Sequence, residues 1–256
     1  MFIDTHAHLY LADFKNDFAN VLEEAKLAGV KKILLPNIDN DSIHASVGLS
    51  KTYPDMLFPM IGLHPCSIQA DFPSRLEQLQ ELFPITHFIA IGEIGIDLYW
   101  DETYRDEQIR AFTQQVTWAD SLHLPVVIHS RASIDLILDI LEELNLPDLT
   151  GVFHCFTGDS KQAERILYLN FYIGIGGVIT FKKSETLRKT VQNIPLNNIL
   201  LETDAPYLTP HPYRSKRNES KYLPIIADQL STMYHISSKS IGRITSVNAK
   251  KLFSLV

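Results

Sequence analysis

Two histidines stand one residue apart in the segment IDTHAHL, close to the start of the sequence. In an extended strand His6 and His8 would point the same way, and paired imidazoles of this kind are suited to holding a metal ion. An isolated His-x-His pair is more often part of an ordinary surface or core strand. Its meaning therefore depends on whether other ligand-type side chains meet it.

Further side chains of the ligand type share one position, at or just beyond the C-terminal end of a predicted strand. They are His64, Glu93, His129, His154 and Asp204. In a closed parallel barrel the strand ends form one rim, so these side chains would surround a single cavity. Imidazoles and carboxylates suit Zn, Mn, Fe or Mg, and this set exceeds what one ion needs. We therefore expect two divalent ions, roughly 3.5 to 4 Å apart.

The strands that would position these residues are short apolar runs that alternate with amphipathic segments. We predict them at residues 2–6, 31–36, 57–62, 88–93, 125–129, 151–155, 171–176 and 198–203. Helical patterns lie between them, including residues 17–29, which end at Gly29, and residues 74–83, with Ser74 as the N-cap. This alternation predicts a single (β/α)8 TIM barrel, with residues 1–256 as one domain. A doubly wound open sheet is the alternative fold.

The composition is that of an ordinary globular protein, with 45% apolar and 21% charged residues. The formal net charge of −7 argues against broad, charge-driven nucleic-acid binding, but a local site could still accept phosphate. We find no signal peptide or membrane-spanning run, and we expect a cytoplasmic protein with no membrane association and no obligate protein partner. Cys66 and Cys155 lack CxxC spacing and are expected to be free thiols, not nucleophiles.

The expected roles of the ligand-type residues follow from their surroundings. Glu93 is expected to be a ligand, because a buried carboxylate without a partner would be costly. Since it lies between strand ends, it could bridge two ions with its two oxygens. His64 precedes a proline and either shapes a turn or contacts substrate or water. Asp204 is expected as the inner ligand. Glu202 would face the same way in a strand and either binds metal or orients a neighbour.

Cationic side chains near the strand ends suit phosphate oxygens. These candidates for substrate binding are Arg131, two residues after His129, and Arg214, Lys216 and Arg217 in the long loop after the last strand. Solvated loop charge is the alternative interpretation for each. The glycines within residues 174–177 could also form a phosphate-binding turn, which is a weak signal by itself.

Several segments together form a recognisable set. They are FIDTHAHL, GLHP, IGEIGID, the Gln108 and Phe112 spacing, PVVIHSR, HCFTG, LLETDAPYLTPHPYRSKRNES and VNAKKLF. This set resembles the TatD-like metal-dependent deoxyribonuclease family, a branch of the amidohydrolase superfamily. The resemblance covers nearly the whole sequence. It implies a (β/α)8 barrel with a two-metal site that hydrolyses phosphodiester bonds in DNA, often from the 3′ end.

Carried over residue by residue, the resemblance also implies a ligand set. One ion would be held by His6, His8, Glu93 and Asp204, and the other by Glu93, His129 and His154. The sequence departs from the family after the GEIGxD aspartate, where Leu98, followed by Tyr99 and Trp100, replaces a common aromatic residue. That departure puts a substrate contact in doubt and leaves the metal ligands unaffected.

The predicted function is a metal-dependent hydrolase, specifically a 3′–5′ exonuclease that cleaves DNA with Mg, Mn or Zn as cofactor. The predicted catalytic residues are Asp204, as acceptor of a proton from an activated water, and Glu93. A hydrolase of another ester or amide, such as an aminoacyl-tRNA deacylase, is the nearest alternative, because it would also use activated water. A scaffolding or nucleic-acid-binding protein with a structural metal is disfavoured, because structural sites are closed and this rim is open.

Overall fold

The computed structural model describes residues 1–99 and 101–256. Its framework consists of parallel strands, namely β1 (Phe2–Asp4), β2 (Val30–Leu35), β3 (Leu57–Pro59), β4 (Ile91–Asp97), β5 (Val126–Arg131), β6 (Gly151–Phe153), β7 (Tyr172–Ile175) and β8 (Ile199–Leu201). The strands pair in chain order in two groups, β1-β2-β3 and β4-β5-β6-β7-β8. Because every pair is parallel, the C-terminal ends of all strands lie at the same end of the sheets.

Isolated parallel bridges join the two groups of strands on both sides. Ile61, just beyond β3, pairs with Ile91 of β4. Ala7, beyond β1, pairs with Ala205, beyond β8, and the amide of His8 donates to the carbonyl of Ala205 at 2.7 Å. The architecture is therefore that of a (β/α)8 barrel, as the alternation of elements predicts.

Helices connect the strands and surround them. They are α1 (Phe18–Leu27), α2 (Ser42–Thr52), α3 (Phe72–Gln80), α4 (Arg105–Leu122), α5 (Ile134–Leu144), α6 (Ser160–Tyr168), α7 (Glu185–Gln192), α8 (Leu223–Tyr234) and α9 (Ser238–Leu252). Helix α5, for example, buries an apolar stripe that contains Ile137, Leu138 and Leu141. Among the residues that the structure describes, no helix combines the length and the apolar character needed to cross a membrane.

The inside of the barrel is filled by apolar side chains from successive strands. This cluster contains Ile3, Leu34, Met60, Val127, Val152 and Leu200. Leu252, at the end of α9, and the following Phe253 belong to the same cluster, so the C-terminal segment seals one end of the barrel. The polar cavity is at the other end, where the strands finish.

Strand β4 differs from its predicted bounds because it continues past Glu93 to Asp97. The pairing of β4 with β5 is irregular between Gly92 and Ile94, so Glu93 is skipped in the register. Gly95 has a φ of 149°, and a Cβ atom there would overlap the carbonyl oxygen of His129. Only glycine permits this close approach. The prediction that β4 ends at Glu93 was wrong, because a polar side chain in a buried strand was taken to mark its end.

The N-terminus of α3 also differs from the prediction. The helix begins at Phe72, and Pro73 in its first turn needs no amide partner there. Ser74 lies inside the helix, and its hydroxyl donates to the carbonyl of Asp71 at 3.0 Å. The prediction of Ser74 as N-cap was therefore wrong, since the helix starts two residues earlier than the serine.

A buried carboxylate ties β1 to the segment after β8. Asp4 accepts hydrogen bonds from the hydroxyl of Thr203 at 2.6 Å and from its amide at 2.9 Å. Replacing Asp4 with alanine leaves buried donors without an acceptor, so we expect the free energy of unfolding to fall by about 2 to 3 kcal/mol. Urea denaturation measures this change. Asp148→Ala is the matched control because Asp148 is exposed, and an equal effect in both variants would contradict the prediction.

Candidate metal centre

The predicted ligands converge on a cavity of about 740 Å³ at the C-terminal ends of the strands. His8, Glu93, His129, His154 and Asp204 line it. His6 lies beneath these residues and is fully buried, and its ring stacks on that of His154 with the centroids 3.9 Å apart. Six side chains from five strand ends thus meet in one place, as the barrel rim requires.

Glu93 is the centre of the cluster, and its two oxygens face different groups of side chains. The Oε2 atom lies 3.1 Å from Nε2 of His6 and 3.5 Å from Nε2 of His8. Oδ1 of Asp204 lies 3.7 Å from the His6 nitrogen and 3.6 Å from the His8 nitrogen. These four residues form the first group.

The second group surrounds the other oxygen of Glu93. The Oε1 atom lies 2.8 Å from Nδ1 of His129 and 2.9 Å from Nε2 of His154. Nε2 of His64 lies 3.4 Å from the same oxygen and 3.3 Å from Nδ1 of His129. Glu93 is therefore shared by both groups, one oxygen to each.

Hydrogen bonds on the outer side of two histidines determine which nitrogen faces the cluster with a lone pair. The hydroxyl of Tyr10 donates to the carbonyl of Pro36 at 2.7 Å, so it accepts from Nδ1 of His8 at 2.8 Å. In the neutral ring, Nε2 of His8 then carries no proton. Nε2 of His129 lies 2.9 Å from Oδ2 of Asp97 and donates to it, so Nδ1 is the bare nitrogen.

His64 has the opposite arrangement. Its Nδ1 accepts from the amide of Cys66 at 3.1 Å, so the neutral ring carries its proton on Nε2. That proton points into the cluster, which makes His64 a donor and not a metal ligand. The same hydrogen bond caps the short 3-10 helix Pro65–Ser67, so His64 does shape a turn, and its contact with substrate or water stays a prediction.

The cluster fits metal ions on its own geometry. Bare nitrogens face carboxylate oxygens, as at 2.8 Å between His129 and Glu93, and two lone pairs at that distance require a cation, either a proton or a metal ion. Donor atoms bound about 2.1 Å from one ion in a tetrahedron lie about 3.4 Å apart. The separations in the first group, 3.1 to 3.7 Å, match that value. The candidate ligand atoms of His6, His8 and Glu93 all lie within 4.8 Å of one another.

Two further carboxylates hold the histidines from outside. Asp97, the last residue of β4, orients His129 and was not among the predicted site residues, although it shares a face with Glu93 by the period of two in GEIGID. Glu202 accepts from the amide of Cys155, and its Oε1 lies 3.5 Å from Nδ1 of His154. Carboxylates in this position fix the tautomer of a ligand histidine.

The shifted pKa values agree with an anionic centre surrounded by imidazoles. Burial acts to raise the pKa of Glu93, but the surrounding imidazoles, His154 first, lower it well below its usual value. Burial likewise opposes ionisation of Asp204, and the nearby imidazoles of His8, His6 and His154 together lower its pKa. Burial acts to lower the pKa of His154, and Glu93 raises it well above the usual value. Both carboxylates are thus charged at neutral pH and available to cations.

The predicted phosphate-binding cations do not all reach the cavity. Arg131 lines it. Arg214 stacks on Phe181, 3.7 Å from its ring centroid, and Arg217 pairs with Asp17 at 2.7 Å. Lys216 lies 5.6 Å from the ring centroid of Tyr213. Arg214, Lys216 and Arg217 are outside the cavity lining, and their other partners account for their positions.

The glycines at 174–177 serve close packing instead of an open anion turn. A Cβ atom on Gly174 would collide with the carboxylate of Glu202, and one on Gly177 with the carbonyl oxygen of Leu208. The space beside Gly174 and Gly177 is filled by protein atoms. Packing of Glu202 and of the segment after β8 therefore explains why Gly174 and Gly177 are glycines, and the phosphate-binding turn stays a prediction.

Weakening the outer support of His129 should weaken metal binding. Asp97→Asn keeps the size of the side chain but removes the charge that orients the ring, and we expect a 10- to 100-fold loss of metal affinity, roughly, with an unchanged fold. Isothermal titration with Mn²⁺ or Zn²⁺ measures the affinity. Asp101→Asn, on the exposed loop that follows, is the control and should bind as the wild type does. Equal affinities in the three proteins would remove the positioning role of Asp97.

Similar proteins place the chain in a family. The sequence profile described as "TatD related DNase" matches residues 3–254. The chain is 35% identical over 255 residues to YabD of Bacillus subtilis, described as an uncharacterized metal-dependent hydrolase, with 100% of each chain covered. It is 33% identical over 258 residues to the Yersinia pseudotuberculosis protein named 3′-5′ ssDNA/RNA exonuclease TatD, with 99% of each covered.

A solved structure agrees with the same assignment. The crystal structure of YjjV, a TatD homologue from Escherichia coli, superposes with a TM-score of 0.93 at 32% identity and covers 100% of this chain and 98% of its own. The predicted fold and the predicted resemblance are both confirmed. The chain belongs to the TatD-related DNase family.

Proposed function

We propose that this protein is a metal-dependent phosphodiesterase that removes nucleotides from the 3′ end of single-stranded DNA with two divalent ions. The observation that carries the proposal is Glu93, whose two oxygens each face a separate group of imidazoles at the floor of an open cavity. Shared carboxylates of this kind are typical of two-metal hydrolases. The names of relatives, which include a 3′-5′ ssDNA/RNA exonuclease, support the choice of substrate.

Each oxygen of Glu93 would bind one ion together with a different group of side chains. His6, His8 and Asp204 would hold one ion with the Oε2 atom of Glu93. His129 and His154 would hold the other with the Oε1 atom. Bound ions would supply Lewis acidity toward a phosphate oxygen and would lower the pKa of a water molecule. Mg, Mn and Zn all accept such nitrogen and oxygen ligands, and Zn favours the imidazole-rich set most.

Asp204 is suited to accept the proton of the attacking water. Its carboxylate lines the cavity, and its side chain is 13% exposed, so solvent in the cavity can reach it. The lowered pKa keeps it ionised at neutral pH, which a proton acceptor requires. The amide of Asp204 donates to the carbonyl of His6 at 2.8 Å, which fixes the carboxylate beside the first ligand group.

Two residues on the other side of the cavity are suited to handle the phosphate. His64 directs its Nε2 proton into the cluster and can donate it to a phosphate oxygen or to the departing oxygen. Arg131 lines the cavity and carries a permanent positive charge. Together they would offset negative charge that builds up as the phosphodiester bond breaks.

The experiment that tests this function compares substrates in one assay. End-labelled single-stranded DNA, double-stranded DNA, RNA, an aminoacyl-tRNA and model amides are incubated with the metal-reconstituted protein. We expect a product ladder that shortens from the 3′ end of single-stranded DNA, loss of all hydrolysis after EDTA treatment, and recovery on addition of divalent metal. Hydrolysis of the amide or the aminoacyl ester without any nucleotide release would contradict the proposal, as would full activity in thoroughly stripped protein.

A further inference from the structure

An exposed aromatic ring stands on the β8 side of the cavity. Tyr207 lines the cavity with 52% of its surface exposed, and its ring lies 6.1 Å from the ring of His8. Its backbone is fixed, because the buried Asn218 amide donates to its carbonyl at 2.6 Å and its own amide donates to Asp204 at 2.8 Å. A rigid backbone therefore presents an open ring next to a metal-ligand histidine.

A second exposed ring stands on the β4 side. Tyr99 is 59% exposed, and its amide donates to Oδ1 of Asp97 at 3.0 Å. The guanidinium carbon of Arg131 lies 4.1 Å from the centroid of its ring, and Arg131 itself lines the cavity. The pair forms a flat aromatic and cationic surface beside the second ligand group. Trp100, the next residue in the departure from the family pattern, lies outside the described residues.

The two rings lie on opposite sides of the mouth. Strands β4 and β8 are four positions apart in a ring of eight, and the ion ligands on Glu93 lie between them. The two sugars joined by the scissile phosphate extend in opposite directions from it, and so do their bases. An exposed ring therefore stands on each side of the ligand cluster.

We propose that Tyr99 and Tyr207 are base-stacking platforms for the two nucleotides that flank the scissile phosphate. This inference rests on the proposed nuclease function and adds the part of the substrate that the protein recognises. Stacking on an aromatic ring accepts any base, because every base has a π face. In a duplex, the bases are already stacked and paired. The platforms therefore select single strands without selecting sequence.

The test removes one base at a time and one tyrosine at a time. The substrates are three 5′-labelled oligodeoxynucleotides: one intact, one with an abasic tetrahydrofuran residue at the 3′ end, and one with it at the penultimate position. The proteins are the wild type, Tyr99→Ala, Tyr207→Ala and Tyr207→Phe. Tyr168→Ala is the matched control, because Tyr168 is 86% exposed on α6, away from the cavity lining.

We expect each base removal to lower kcat/KM of the wild type about tenfold, which is within the range for stacking of one base on one ring. In Tyr207→Ala, one of the two abasic substitutions no longer lowers kcat/KM. In Tyr99→Ala, the other abasic substitution no longer lowers it, so the data form a double-mutant cycle. Tyr207→Phe keeps the ring, so it remains sensitive to both base removals. Tyr168→Ala is remote from the cavity lining and behaves as the wild type.

Equal sensitivity of all variants to both base removals would overturn the inference while leaving nuclease activity intact. Absence of nucleotide release from any oligonucleotide by the wild type would instead refute the proposed function. In that case, fluorescence anisotropy measures the Kd of the same oligonucleotides for the EDTA-treated proteins and still tests the stacking. Stacking is supported if Tyr207→Ala binds the intact strand about tenfold more weakly than the wild type does, and if this difference disappears with one of the abasic strands. Identical Kd values in all variants would reject stacking.

Discussion

Glu93→Gln is expected to abolish hydrolysis, with a loss in kcat of at least about 10³-fold, because this one side chain would serve both proposed ion sites. The amide of glutamine keeps one acceptor oxygen and replaces the other with a donor, so it cannot serve the imidazoles on both sides. The oxygen near His6 or the oxygen near His129 is lost, whichever way the amide turns. Elemental analysis of the purified variant should find fewer bound ions than in the wild type.

The control for this variant is Glu102→Gln, which makes the same chemical change on an exposed loop at the rim. It should retain wild-type activity and wild-type metal content. If Glu93→Gln kept both its full metal content and its turnover, Glu93 would not be the shared ligand. The proposed two-ion site would then have to be abandoned.

Asp204→Asn is expected to reduce turnover about 10²- to 10⁴-fold while the protein stays folded, because asparagine cannot accept a proton. The fold should tolerate the change. Asp204 has a φ of 59°, and asparagine adopts this left-handed conformation readily. Its side-chain oxygen also remains available to an ion. Single-turnover cleavage of single-stranded DNA at saturating metal, with the melting temperature of both proteins, separates loss of chemistry from loss of metal or fold.

The proton-acceptor role of Asp204 would be contradicted by the following rates. Wild-type single-turnover rates in Asp204→Asn at saturating metal would assign that role to another group. A rate that recovers fully as the metal concentration rises would make Asp204 a ligand alone. The conservative size of the change keeps packing around His6 and His8 as it is, so either result can be interpreted.

The sequence was sufficient for the general location of the ligand cluster because parallel strands have a simple geometry. His6, His129 and Asp204 are far apart in the sequence, yet each follows an apolar run, and a barrel brings such positions to one rim. The family match also confirms the predicted enzyme class, a hydrolase. Which residues hold ions and which perform catalysis stays a prediction that the variants above test.

The parts that the sequence did not predict depend on tertiary partners. Arg217 has the charge expected of a phosphate ligand, but its partner Asp17 lies 200 positions away, and nothing in the local sequence indicates that pairing. Asp97 was overlooked because its role depends on the distance to His129 across β4 and β5. Gly174 looked like an anion-binding glycine, and only the packing of Glu202 against it explains its size.

The tautomers of the histidines also could not be predicted from the sequence alone. His64 and His129 are both single histidines near strand ends, and their types give no reason to separate them. The amide of Cys66 and the carboxylate of Asp97 distinguish them, because one leaves a proton facing the cluster and the other leaves a lone pair. A ligand and a donor can thus be told apart only after their outer partners are known.

Anomalous diffraction from crystals grown with Mn²⁺ would show whether Glu93 bridges two divalent ions. We expect two anomalous peaks, one near each carboxylate oxygen of Glu93 and roughly 3.5 to 4 Å apart. A single peak, or peaks that do not contact Glu93, would contradict it.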